Sequence, residues 1–298
     1  MIKGLRISPD GARVAVDIGD PRTGTSDVWV FELTPGVSTR LHSDSVDEIM
    51  PVWSSDGSRL FYRSDRQGPP DIYEIAVGVP GSERPLLVEP SLQQPEDASR
   101  DGSLLVYLFE IETSVWNIRL LPLEGERKSA PWLPSKFSQT SPRLSPDGRW
   151  IAYESDESSD PEVYVALTKG GAGKRRLSPS GGRRPRWRGE GKEPYYNAPG
   201  GTGMAVPVTP GPLWASGPPA PLFRVDGEIE SYDVTGDGSR FVISEPVEEV
   251  REAPLRGILD WPAVLRARKG HTQPDHGRAH TRTRRPPGPV PTRAPAPP

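Results

Sequence analysis

The chain has 298 residues, of which 34% are hydrophobic and 26% charged, with 37 basic and 40 acidic side chains and a formal net charge of −3 at pH 7. It contains no cysteine, which excludes a disulfide framework, a thiol nucleophile and a cysteine-based metal site. No run of about 18 apolar residues is present to form a membrane-spanning helix. The −3 divides into −7 over residues 1–269 and +4 over residues 270–298; the basic end could meet nucleic acid, but its composition reads as an idle tail and a nucleic-acid partner is not expected.

In chain order, one four-residue frame keeps returning. It is Ser8-Pro9-Asp10-Gly11, then Ser54-Ser55-Asp56-Gly57, Ser99-Arg100-Asp101-Gly102, Ser145-Pro146-Asp147-Gly148 and Thr235-Gly236-Asp237-Gly238, with a degenerate copy at Arg188-Gly189-Glu190-Gly191. The closing glycines are separated by 46, 45, 46, 43 and 47 residues. A nearly fixed period of this length marks a repeat architecture. An apolar or aromatic run leads into each turn (Pro51-Val52-Trp53, Pro185-Arg186-Trp187), and a β-rich run leaves it (Arg59-Leu60-Phe61-Tyr62, Trp150-Ile151-Ala152-Tyr153). A third alternating run follows (Asp27-Val28-Trp29-Val30-Phe31, Asp71-Ile72-Tyr73-Glu74-Ile75), then a weaker fourth (Arg84 to Val88, Arg175-Arg176-Leu177). Period-two alternation between turn residues predicts antiparallel strands, so each unit reads as a four-stranded meander and the set as the blades of a β-propeller. The aspartates read as turn formers rather than catalysts, because Asp suits the bridge region and Gly the left-handed position that closes the hairpin.

These residues closely resemble the WD40-like repeats of TolB-type six-bladed propellers, whose pattern is roughly Pro-x-Trp-Ser-Pro-Asp-Gly, from about Leu5 to Trp261. The C-terminal part, with Gly181-Gly182-Arg183-Arg184-Pro185-Arg186-Trp187, Met204 to Val208 and Leu259-Asp260-Trp261, is similar to propellers appended to bacterial serine/threonine kinases. No kinase motif is present, so the resemblance implies a sensory or interaction module and not a kinase. The expected fold is all-β: a six-bladed propeller over residues 1–268, its sixth blade three-stranded, with at most one helical turn near Pro262 to Arg268. Residues 269–298 are expected to be a disordered tail; from Gly270 on they hold eight Pro and five Arg. No apolar leader precedes Leu5. The chain as read is therefore expected in the cytoplasm, or outside the membrane if it is part of a longer exported or membrane-anchored protein.

The search for chemistry yields no Gly-x-Ser-x-Gly, His-Glu-x-x-His or EF-hand pattern. Gly170-Gly171-Ala172-Gly173-Lys174-Arg175 lacks the first glycine and the final hydroxyl of a phosphate loop and reads as a hairpin loop. The carboxylates of Asp156, Glu157 and Asp160 fall in a loop and read as solvated. His271, His276 and His280 lie in the tail without the supporting partners that a metal site needs. No metal, cofactor or catalytic residue is expected. The feature that departs from the repeat is a cationic run, Arg175, Arg176, Arg183, Arg184, Arg186 and Arg188, which reads as a patch for an anionic partner. Among the aromatics, Trp29, Trp53, Trp116 and Trp187 sit in repeat-equivalent strands and read as filling between blades. Trp214 and Trp261 fall outside that frame and are candidate exposed contacts. The function expected is non-catalytic binding of a protein, peptide or ligand by a monomer. The alternative is a propeller hydrolase or lyase using channel or loop carboxylates.

Overall fold

The computed structural model describes residues 2–34, 36–41, 46–209 and 214–244, together with the backbone of 256–258. Residues Met1–Trp261 form one compact unit, and every regular element among the described residues is a strand. The helical turn expected near Pro262, the contact expected of Trp261 and the Pro/Arg-rich tail lie outside the described residues.

The first sheet is β1 (Leu5–Ile7), β2 (Arg13–Gly19), β3 (Ser26–Glu32) and β4 (Ser38–Arg40). The second is β5 (Glu48–Trp53), β6 (Arg59–Ser64), β7 (Asp71–Ala76) and β8 (Arg84–Leu87). The third is β9 (Gln93–Ala98), β10 (Leu104–Glu112), β11 (Val115–Pro122) and β12 (Ala130–Pro131), and the fourth β13 (Gln139–Leu144), β14 (Trp150–Ser158), β15 (Asp160–Leu167) and β16 (Arg175–Arg176). In the fifth, β17 (Arg183–Trp187), β18 (Pro194–Ala198) and β19 (Thr202–Ala205) are followed by a small ribbon of β20 (Val208–Thr209) and β21 (Ala215–Ser216) before the fourth strand, β22 (Ala220–Arg224). The last repeat gives β23 (Ser231–Val234), β24 (Phe241–Ser244) and β25 (Arg256–Ile258), a three-stranded sheet. The described residues thus contain five complete four-stranded blades, where the repeats anticipated a six-bladed ring.

Each recurring frame makes one hydrogen-bonded turn between first and second strands. The closing glycines lie in the left-handed region, with φ +69, +68, +74, +68, +69 and +71 at Gly11, Gly57, Gly102, Gly148, Gly191 and Gly238. Each donates its N–H to the first residue of its frame, for example Gly57 to the Ser54 carbonyl at 2.9 Å. The first hydroxyl then does two jobs. Ser54 donates to Asp56 at 2.6 Å and accepts the Arg59 N–H at 2.9 Å, and Ser99, Ser145 and Thr235 repeat the pattern. The aspartate closes the turn by accepting the N–H two residues on, as Asp56 does from Ser58. The frame's Asp is structural because its Oδ1 accepts both the frame's first hydroxyl and the N–H two residues on, inside the turn.

Sequence alternation becomes burial between sheets. Val30, Trp53, Leu60, Tyr62 and Tyr73 form one core cluster between the first and second sheets, and Ile118, Trp132, Ile151 and Tyr153 another between the third and fourth. Val242 of the last sheet joins Leu5, Ile7, Val14 and Val16 of the first. Each fully buried aliphatic or aromatic side chain contributes roughly 1.5–3 kcal/mol. The indole N–H groups also cross between sheets: Trp53 donates to the Arg6 carbonyl at 3.1 Å and Trp187 to the Arg143 carbonyl at 3.0 Å.

Candidate functional site

The first strand of each sheet is the innermost; β5, β9, β13 and β17 each carry a bulge, and in three of them it contains a left-handed residue. Met50, Ser141 and Arg184 sit at φ +56, +52 and +52, four residues before their frames, where the pairing registers of β5, β13 and β17 slip. A proline follows each of them (Pro51, Pro142, Pro185), tolerated because a bulge leaves a position that needs no ladder N–H. The bulge N–H is held by an acid on the second strand of the preceding sheet: Asp17 Oδ2 accepts from Met50 at 2.8 Å and Glu154 Oε2 from Arg184 at 2.6 Å.

Two residues before each frame stand Arg6, Val52, Asp97, Arg143, Arg186 and Asp233, and all six line two adjoining axial cavities. With Glu96 they build a charged layer of three arginines and three acids. Arg143 Nη1 reaches Glu96 Oε2 at 2.7 Å, Arg6 Nη2 reaches the same oxygen at 3.4 Å, and Arg186 Nε reaches Asp233 Oδ1 at 3.1 Å. Asp97 accepts the Leu144 N–H at 2.7 Å and Asp233 the Ile7 N–H at 2.8 Å, each from the following sheet around the ring. The layer lies between a 240 Å³ cavity, which includes Met50, Ser141 and Arg184, and cavities of 140 and 190 Å³ reaching the turn residues Pro146 and Ser54.

Burial dominates the electrostatics here. Desolvation, with the neighbouring charges of Arg143 and Arg186, lowers the Arg6 pKa to about 9, and burial beside Arg143 lowers that of Arg186. Burial acts on Arg143 in the same direction, but Glu96 and Asp97 outweigh it and its pKa rises. Burial likewise opposes ionisation of Glu96, yet Arg143 and Arg6 prevail and hold its carboxyl low, while burial raises that of Asp97.

The six arginines expected to form one patch do not share a surface. Arg186 is 4% exposed and belongs to the axial layer, stacked over the Tyr232 ring at 5.1 Å. Charge on a central strand points inward here because the register alternates Arg186 with Trp187, which faces the interblade core. Arg188 is partly buried and pairs with Glu193 at 3.5 Å, and Arg175 is exposed on the outer strand β16. Arg176, Arg183 and Arg184 do come together, at a groove of about 680 Å³ beside the fourth and fifth sheets. Its walls are the β14–β15 and β18–β19 hairpins and the links that lead into β17 and β23, which meridionally alternating strands place on one face. Gly170, Gly171, Ala172 and Gly173 lie in the expected hairpin loop between β15 and β16.

Trp214, expected as an exposed contact, instead packs edge-on against Trp150 and Trp187 with centroids 5.0 and 5.8 Å away. The β20–β21 ribbon folds it back over the fourth-to-fifth sheet core, a placement that no local pattern announces. Arg6, Asp97 and Asp233 escaped notice as site residues although the frame positions them; superposing the repeats two residues before each turn exposes them as one ring. Asn197 was also missed, and its signal is the same spacing: it lies nine residues after the first residue of its frame, as Asp17 and Glu154 do.

A ring of antiparallel four-stranded meanders with a charged axial layer defines the class as a β-propeller. The chain belongs to the TolB beta propeller domain family, whose model matches residues 3–190. It is 28% identical over 150 residues to the Tol-Pal system protein TolB of Helicobacter pylori, an alignment that covers 49% of this chain and 35% of that protein. The chain therefore matches about a third of the length of that curated relative. TolB from Acinetobacter baumannii has a TM-score of 0.60 at 16% identity, over 76% of this chain and 55% of that one. An oligogalacturonate lyase in complex with manganese has a TM-score of 0.58 at 15% identity, over 82% and 70%. At such identities the structural likeness shows the shared fold.

Proposed function

We propose that this chain is a non-catalytic binding propeller for a protein or peptide, with β23–β25 serving as an incomplete sixth blade. The observation that carries the reading is the commitment of the axial acids. Glu96 is held by Arg143 and Gln94, Asp97 by the Leu144 N–H, and Asp233 by Arg186 and the Ile7 N–H. Carboxylates tied to the next blade's backbone support the ring, whereas acid–base chemistry calls for a pair whose environments set one free to donate and the other to accept a proton. Six units are favoured by Asp233, which joins the fifth sheet to the first through the last one.

The rival is a channel enzyme of the hydrolase or lyase type, and its support is the fold shared with the lyase. The two separate in one pair of assays on the full chain. Saturable binding of peptides enriched from a displayed random library, with no turnover of esters or oligogalacturonate, is the expected result. Turnover that disappears in Asp97→Asn or Asp233→Asn would replace this reading with the enzymatic one.

A further inference from the structure

Asn197 is 7% exposed and lines the 680 Å³ groove, yet neither its Nδ2 nor its Oδ1 has a hydrogen-bond partner. Among the described residues it is the one buried side chain that leaves two polar atoms unpaired. Such a group is costly to desolvate unless something satisfies it. In the first and fourth sheets the equivalent residues, Asp17 and Glu154, are spent on the N–H of the following sheet's bulge. The fifth sheet has an uncharged amide there, with no such bond, where the groove opens.

We propose that the groove binds a short peptide carrying a carboxylate side chain, with Asn197 pairing to one peptide unit of the ligand. This deepens the binding reading given above and rests on it. A primary amide with a free donor and a free acceptor is the complement of one peptide group, which offers a C=O and an N–H. Arg183, exposed beside it on β17 and directly paired in register with Asn197, has no side-chain hydrogen bond or ion pair among the described residues. Arg184 Nη1 donates to the Ile229 carbonyl at 3.0 Å, and Arg176 stands 3.9 Å from Glu162, whose other oxygen accepts from the Ser178 hydroxyl. Arg183 is therefore the cation open to a ligand carboxylate, which its planar fork suits. Asp160, Glu162 and Glu228 on the same walls offset the three arginines and disfavour a polyanion, so one acidic residue in a neutral chain fits best. The volume falls within the roughly 300–1,000 Å³ usual for binding pockets. Pro161, Pro179, Pro199 and Ile229 offer apolar contact, and among the described residues no aromatic ring lines the groove for a sugar face to stack on.

The test uses the full chain, panned against displayed random short peptides, with the dissociation constants of enriched peptides then measured by fluorescence polarisation. Enriched peptides are expected to carry Asp or Glu. Asn197→Leu is expected to weaken them by about tenfold or more, the equivalent of one lost buried hydrogen-bonded contact, with a Tm equal to or above that of the parent because an unpaired buried amide has been removed. Arg183→Glu is expected to weaken the acidic peptide more than its Gln counterpart, and Lys169→Ala, on the opposite loops, neither. Enriched peptides whose affinity ignores Asn197→Leu and Arg183→Glu would overturn the groove while leaving peptide binding standing. No enrichment would sink both, and trigalacturonate binding abolished by Asn197→Leu without any peptide binding would assign the groove to a glycan instead.

Discussion

Arg183 and Arg186 lie three residues apart on one short strand, and their surroundings are opposite. Arg183 is exposed and unpaired among the described residues, so its replacement by Ala is expected to leave stability within about 0.5 kcal/mol. Arg186 is buried against Asp233 and Tyr232, so Arg186→Ala leaves a buried carboxylate without its partner and is expected to cost about 3–5 kcal/mol. Chemical denaturation of the two variants side by side checks the contrast; similar losses would show that Arg183 is also built into the ring. Local sequence could mark both residues as basic, but only the register of β17 against β18 separates them.

At the scale of the element, the recurring turn makes two measurable claims. Ser54→Ala removes a hydroxyl that both donates and accepts, and is expected to cost about 1 kcal/mol. Gly57→Ala forces a side chain into the left-handed region at φ +68 and is expected to cost about 1–2 kcal/mol. A pH dependence follows from the same geometry. The Ser54 hydroxyl and the Ser58 N–H hold the Asp56 carboxyl at about 2, and the Thr235 hydroxyl with the Ser239 N–H does the same for Asp237, against an ordinary value of 3.8. A depressed acid contributes stability that is complete above the unfolded value and is lost as pH falls through the folded one. Denaturation midpoints are therefore expected to drop between about pH 4 and pH 2, and to drop less in the Asp56→Asn, Asp237→Asn double variant. An identical slope in both proteins would remove the turns as the source.

For the whole molecule, the decisive junction is where the last sheet meets both the fifth and the first. Asp233 takes the Arg186 guanidinium with one oxygen and the Ile7 N–H with the other. Asp233→Ala is expected to destabilise by about 3–5 kcal/mol, because it strands a buried cation and opens that junction. Combining it with Arg186→Ala is expected to cost clearly less than the two single losses together, since each single variant pays for the other's abandoned charge. Additive losses in that double-mutant cycle would show that the two residues act independently and that the ring closes by apolar contact alone.

The periodic frame and the alternating runs around it made the all-β meander legible from the sequence alone. Turn chemistry and two-residue periodicity are local properties, and each copy from Ser8 to Gly238 restates them. The same locality makes the place of the repeat's tryptophans, between blades, legible from the sequence. What the chain could not disclose locally was the destination of its charges. Arg6, Arg143 and Arg186 lie 43 or more residues apart in sequence and meet only when the blades close on one axis, and Trp214 finds its two partner rings only through the return of the β20–β21 ribbon. Asn197 reads as an ordinary strand residue until the sheets are assembled. Its unpaired amide is a property of the space between the blades, which no single segment contains.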